Sequence, residues 1–217
     1  MRKVLRDQSL TIVTLALFLL FLAAQAITGY RVYNADQQEH QESTISFGSY
    51  LRSGHFIEAT FENWESEFLQ MGAYVLLTVY LVQRGSAESR DPDEPLESEE
   101  HESLTEDSPW AAKKAGAVRL AYENSLAVTL FAIFIICFFL HAWGGAIAYS
   151  EEQEAHGGSP VSTLEFMRTS QFWFESFQNW QSEFLAVAAL VVLSIFLRQR
   201  GSPESKPVNA PHSSTGA

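Results

Sequence analysis

Four apolar blocks separated by strongly polar stretches set the pattern of this chain. "LTIVTLALFLLFLAAQAITG" (Leu10 to Gly29) contains no ionisable residue, and its 20 residues reach about 30 Å as a helix, one hydrocarbon thickness. "LAVTLFAIFIICFFLHAWGGAIA" (Leu126 to Ala148) is as apolar, with His141 its one strongly polar side chain. Two shorter blocks, Phe68 to Val82 and Phe184 to Leu197, complete the set. With 15 and 14 residues they reach about 22 Å and about 21 Å, short of a bilayer core unless the preceding turn is recruited. The pattern predicts an all-α integral membrane protein with four transmembrane helices.

The blocks are related by a constant step of 116 residues. Trp64 falls on Trp180, Gly29 on Gly145, Tyr33 on Tyr149, His40 on His156 and Arg52 on Arg168. "FENWESEFL" matches "FQNWQSEFL", and "QRGSAES" matches "QRGSPES". A repeat of this length outranks local motifs in deciding architecture. It predicts two parallel two-helix repeats: a first two-span repeat at 1–90, an acidic disordered linker at 91–115, a second repeat at 116–205 and a disordered tail at 206–217. The basic start "MRKVLR" and Ala24-Gln25-Ala26 fit a cleavable signal. Equivalence with Leu126–Ala148 instead reads the first block as a retained helix.

Charge sharpens the picture locally. Between Glu88 and Asp107 lie ten carboxylates and one arginine, which accounts for most of the net charge of -12 and excludes a basic nucleic-acid footprint. Arg2, Lys3, Arg6, Arg84, Lys113, Lys114, Arg119, Arg198 and Arg200 all flank the same ends of the blocks. By the positive-inside rule both termini and the linker are expected in the cytoplasm, with the chain multi-pass in the cell membrane. Cys137 is the one cysteine, so an intramolecular disulfide is impossible.

The duplicated motif marks the mouth of each shorter helix. Trp64 and Trp180 are expected as interface anchors at headgroup level. Asn63, Ser66, Glu67 and Gln70 fall on one helical face, and Asn179, Ser182 and Glu183 repeat it. A carboxylate near hydrocarbon needs a partner. Arg52 for Glu67 and Arg168 for Glu183 recur with it, and Asn63 and Asn179 add possible hydrogen bonds. An axis relating the repeats could instead bring the two carboxylates together. Glu67, Glu183, Asn63, Asn179, Arg52 and Arg168 thus form the candidate polar or ion site. His40 and His156 neighbour acids without a ligand spacing, so no metal site and no cofactor is expected. His141 aligns with Gln25, which suits interhelical hydrogen bonding, and Gly29, Gly144 and Gly145 suit close helix contact. No nucleophile elbow, Cys-x-x-Cys pair or nucleotide loop is present, so an enzyme is not expected.

On the motif N-W-[EQ]-S-E-F-L…Q-R-G-S-x-E-S the chain resembles a family of bacterial integral membrane proteins with a domain of unknown function. That resemblance implies a bacterial cytoplasmic-membrane protein and assigns no residue role. The leading expectation is a non-enzymatic structural, accessory or envelope module in the lipid bilayer, with a membrane-protein partner or a second copy as its contact. The alternative is a small proton- or cation-handling transporter or channel using Glu67 and Glu183.

Overall fold

The computed structural model describes residues 6–91, 93 and 104–216. Arg2 and Lys3, used above for orientation, and part of the acidic linker (92 and 94–103) lie outside the described residues. Among those described the chain is all-helical, without strands. Helix α1 (Ser9–Glu39) has 31 residues, α2 (Phe47–Tyr50) has 4 and α3 (Gly54–Tyr80) has 27. After the short α4 (Ala117–Glu123), the lengths 31, 4 and 27 return in α5 (Ser125–Ala155), α6 (Thr163–Phe166) and α7 (Ser170–Phe196).

Three of these helices, α1, α5 and α7, are long and apolar enough to cross a membrane. The expectation of four is corrected here. Helix α3 matches α7 in length, but its first half carries Glu58, Glu62, Glu65 and Glu67, and its apolar run begins only at Phe68. Four carboxylates within about 15 Å of helix dilute the run below what a span requires. The surfaces of the spans fit a lipid surrounding. Phe21 is 65% exposed and Leu126 61% exposed, a density of bare apolar side chains that water does not tolerate in a monomer.

The chain divides into two compact units, Met1–Thr60 with Leu140–Arg168, and Phe61–Phe139 with Thr169–Ala217. The first is organised by glycines. A Cβ on Gly144 would lie 2.6 Å from the backbone nitrogen of Glu58, and one on Gly54 would lie 2.6 Å from that of Ala148. Backbones of α3 and α5 therefore touch at this crossing, as small residues permit in membrane helices. Gly29 seats the Tyr50 hydroxyl, and Gly145 seats the ring of Phe166. Tyr50 also packs against Tyr30, Tyr33, His55 and Phe56.

Two side chains tie the following loops to the long helices. Asn34 Oδ1 accepts from the Ile45 backbone N–H at 2.8 Å, and Ser150 Oγ accepts from that of Val161 at 2.9 Å. Each loop then enters a one-turn helix through a serine cap. Ser46 Oγ accepts from Ser49 N–H, and Ser162 Oγ accepts from Glu165 N–H with Glu165 reciprocating to form a capping box.

In the second unit, aromatic rings from α5 and α7 interlock: Phe138 meets Phe172 edge-on at 5.2 Å, Trp173 lies tilted against Phe177, and Phe177 meets Trp180 edge-on. Past the end of α3, Ser86 Oγ lies 2.9 Å from Ser194 Oγ in the last turn of α7. The tail, expected without order, is tied down over its described residues. The Lys206 ammonium, 1% exposed, donates to the carbonyl oxygens of Gly85, Pro211, His212 and Ser214. Thr215 Oγ1 accepts from Gly85 N–H, and Gly216 N–H donates to the Ser86 carbonyl. Gly85, at φ +87°, leaves no room for a Cβ beside the His212 carbonyl.

Two outcomes test this account. Gly144→Ala should lower unfolding stability in detergent by about 1–3 kcal/mol through backbone overpacking, whereas Gly48→Ala, with nothing within 4 Å, should be near neutral. The second concerns Glu165, whose pKa is held below the usual 4.5 by the Ser162 backbone N–H and then by its hydroxyl. A depressed folded-state pKa means the cap contributes at neutral pH and is lost as pH falls through that value. Ser162→Ala should raise the Glu165 midpoint in an NMR titration.

A carboxylate row as the candidate functional site

Helix α3 carries Glu58, Glu62 and Glu65 at i, i+4 and i+7, which places the three on one face. Glu65 is the most withdrawn, with none of its surface exposed. The Trp180 indole Nε1–H donates to its Oε1 at 3.2 Å. One turn away, Asn179 Nδ2 donates to Glu62 Oε1 and also to the Glu175 carbonyl at 3.1 Å. Cys137 of α5 is 2% exposed and lies close enough to Glu65 to feel its charge. Ser66, beside Glu65, is buried and donates to the Asn63 carbonyl at 2.7 Å. Ser176 Oγ, on α7, is buried without a hydrogen-bond partner among the described residues.

The first unit holds an acidic group of its own. The Glu58 carboxylate and the His141 imidazole place ligand atoms within 4.8 Å of each other, and His141 has no exposed surface. Gly145 makes room for this carboxylate, because a Cβ there would lie 2.8 Å from Glu58 Oε1. An imidazole and a carboxylate at this spacing can supply two ligands to a divalent cation.

The residues expected from the motif divide. Glu67 is exposed and Glu183 half-buried, and the two lie within electrostatic reach of each other. Asn63 is exposed, and Asn179 is turned to Glu62. Trp64 is half-buried with its ring edge-on to Phe61 at 5.1 Å. Trp180 is a hydrogen-bond donor inside an aromatic cluster, several turns into α7. Arg52 and Arg168 are both exposed and belong to the first unit, whereas Glu67 and Glu183 belong to the second. The ion pairs found within the units join Arg6 to Asp7, His40 to Asp36, Arg84 to Asp93 and Arg119 to Glu123.

Glu62 and Glu65 were missed by motif reasoning, although the spacing of Glu58, Glu62 and Glu65 was present. Comparing repeats hid the row: the counterpart of Glu65 is Gln181, that of Glu62 is Gln178 and that of Glu58 is Phe174.

Apolar helices with an acidic face turned inward define the class, an all-helical protein compatible with a membrane. The chain belongs to the family described as Domain of unknown function (DUF6766), whose model matches residues 1–217. Neither a curated protein nor a solved structure matches it.

The Trp180–Glu65 bond is measurable. A hydrogen bond to a charged group contributes about 1.5–3 kcal/mol, so Trp180→Phe should lower unfolding stability by an amount of that order. In a Glu65→Gln background the loss should shrink, and equal losses in both backgrounds would mean the two side chains are not coupled.

Proposed function

We propose that the protein is a membrane-embedded cation handler whose working groups are the carboxylates on the inner face of α3, with Glu65 the central one. The observation that carries this reading is a fully covered Glu65 side chain hydrogen-bonded to Trp180, a residue of a helix long and apolar enough to span. Ionisable groups in such surroundings are costly to keep and mark ion or proton pathways. Glu62, one turn from Glu65, and the Glu67–Glu183 pair extend acidic groups on either side of it within the second unit. A proton or a small monovalent cation is the cargo this chemistry suits.

The design is read as a duplicated one, and two kinds of observation support it. Helices of 31, 4 and 27 residues recur in order. Contacts also recur at the same step of 116: Asn34 with Ile45 and Ser150 with Val161, Gln83 with Ser89 and Gln199 with Ser205. On this reading one copy keeps the acidic face and the other supplies Trp180 and Asn179 to it. A purely structural module is the second reading, favoured by the donors already engaged: Trp180 and Asn179 would then serve as interhelical glue for Glu65 and Glu62.

Purified protein reconstituted in liposomes separates the two. Under an imposed pH or potassium gradient with a pH-sensitive dye, wild type should dissipate the gradient, and Glu65→Gln should abolish the flux while keeping a wild-type melting profile. Glu67→Gln with Glu183→Gln should reduce it. An inert wild type, or unchanged flux in Glu65→Gln, would leave the structural reading.

A further inference from the structure

Near the far end of α5 the same helix face changes chemistry. Trp143, Ile147, Glu151 and Glu154 follow one another at helical steps, running from aromatic through aliphatic to acidic. Within the first unit they line an open groove with a cavity volume of about 440 Å³, bounded on its other side by Val161 and Ser162. This volume lies in the range of small-molecule sites. No lysine or arginine lines it. The charged groups acting on Glu151 are Glu42 and Glu154, both acidic, and the Tyr33 hydroxyl reaches Glu151 Oε2 at 3.5 Å.

We propose that this groove binds an organic cation, a primary or quaternary ammonium. Three features select that class. The indole of Trp143, 48% exposed, offers a negative π face that attracts an alkylammonium. Two carboxylates one turn apart give it a counter-charge. Ile147 and Ala146 provide apolar contact for carbon substituents, which a bare metal ion would not use. The groove also straddles the end of the apolar stretch, since Trp143 lies inside Leu126–Ala148 and both carboxylates lie beyond it. That is the depth of lipid headgroups. The ammonium can therefore come from an aminophospholipid headgroup or from a free amine. This site is separate from the Glu65 row, so neither reading depends on the other.

The test uses the full chain in detergent micelles and equilibrium dialysis of radiolabelled tetramethylammonium and ethanolamine. Saturable binding of at least one probe is expected, weakened about tenfold or more in Glu151→Gln/Glu154→Gln and in Trp143→Ala. Glu152→Gln, which removes a neighbouring charge outside the groove, should bind as wild type does. Each variant is checked for an unchanged melting profile, and Glu154→Gln alone decides if the double variant does not fold. Absence of saturable binding overturns the proposal, as does equal weakening by Glu152→Gln. Native mass spectrometry from nanodiscs with and without phosphatidylethanolamine then separates the sources. A retained aminophospholipid that Glu151→Gln/Glu154→Gln releases identifies the headgroup. Probe binding that is the same in both lipid compositions identifies a free amine.

Discussion

A carboxylate withdrawn from solvent has to be met by donors, and the placement of Glu65 organises the second unit around that requirement. Its partner is the indole N–H of a half-buried ring. Trp180 is held edge-on against Phe177 and Phe134, so the aromatic packing of α5 and α7 orients the hydrogen bond. Asn179, the adjacent residue, turns to Glu62 and holds the neighbouring turn. Acidic face and aromatic stack are consequently one arrangement. Loosening the rings would release the donor, and losing the acid would leave an indole N–H buried with one partner fewer.

The first unit answers a different constraint. Backbones at Gly54, Gly144 and Ala148 approach until there is no space for a side chain between them. Such proximity leaves little room for large residues to tune the crossing. Beside Gly145, the Glu58 carboxylate lies within 4.8 Å of a His141 ring nitrogen. Small residues thus create the space for a polar contact at a depth where large apolar residues would be ordinary.

Much of this architecture was legible in the chain. Uninterrupted apolar blocks announced α1 and α5. Gly144 and Gly145 were readable as contact points because small residues have few other uses in such a stretch. The site was less legible, for a physical reason. Helical periodicity identifies faces but not which face is inward, and Glu67 and Glu65 sit on different ones. Preference for residues shared by both repeats then selected Glu67, while the buried position differs between copies. The tail misled in another way: its composition is poor in apolar residues, yet its order rests on carbonyl groups converging on one ammonium, a feature composition does not encode.

That ammonium has a consequence for the chemistry of the polypeptide itself. With its three N–H groups shared among four carbonyl oxygens and almost no surface exposed, the Lys206 amine cannot act as a nucleophile toward acylating or alkylating reagents while the tail is seated. Its reactivity is gated by opening of the segment around Pro211 to Ser214, so covalent labelling at this one amine becomes a clock for the undocking of the tail.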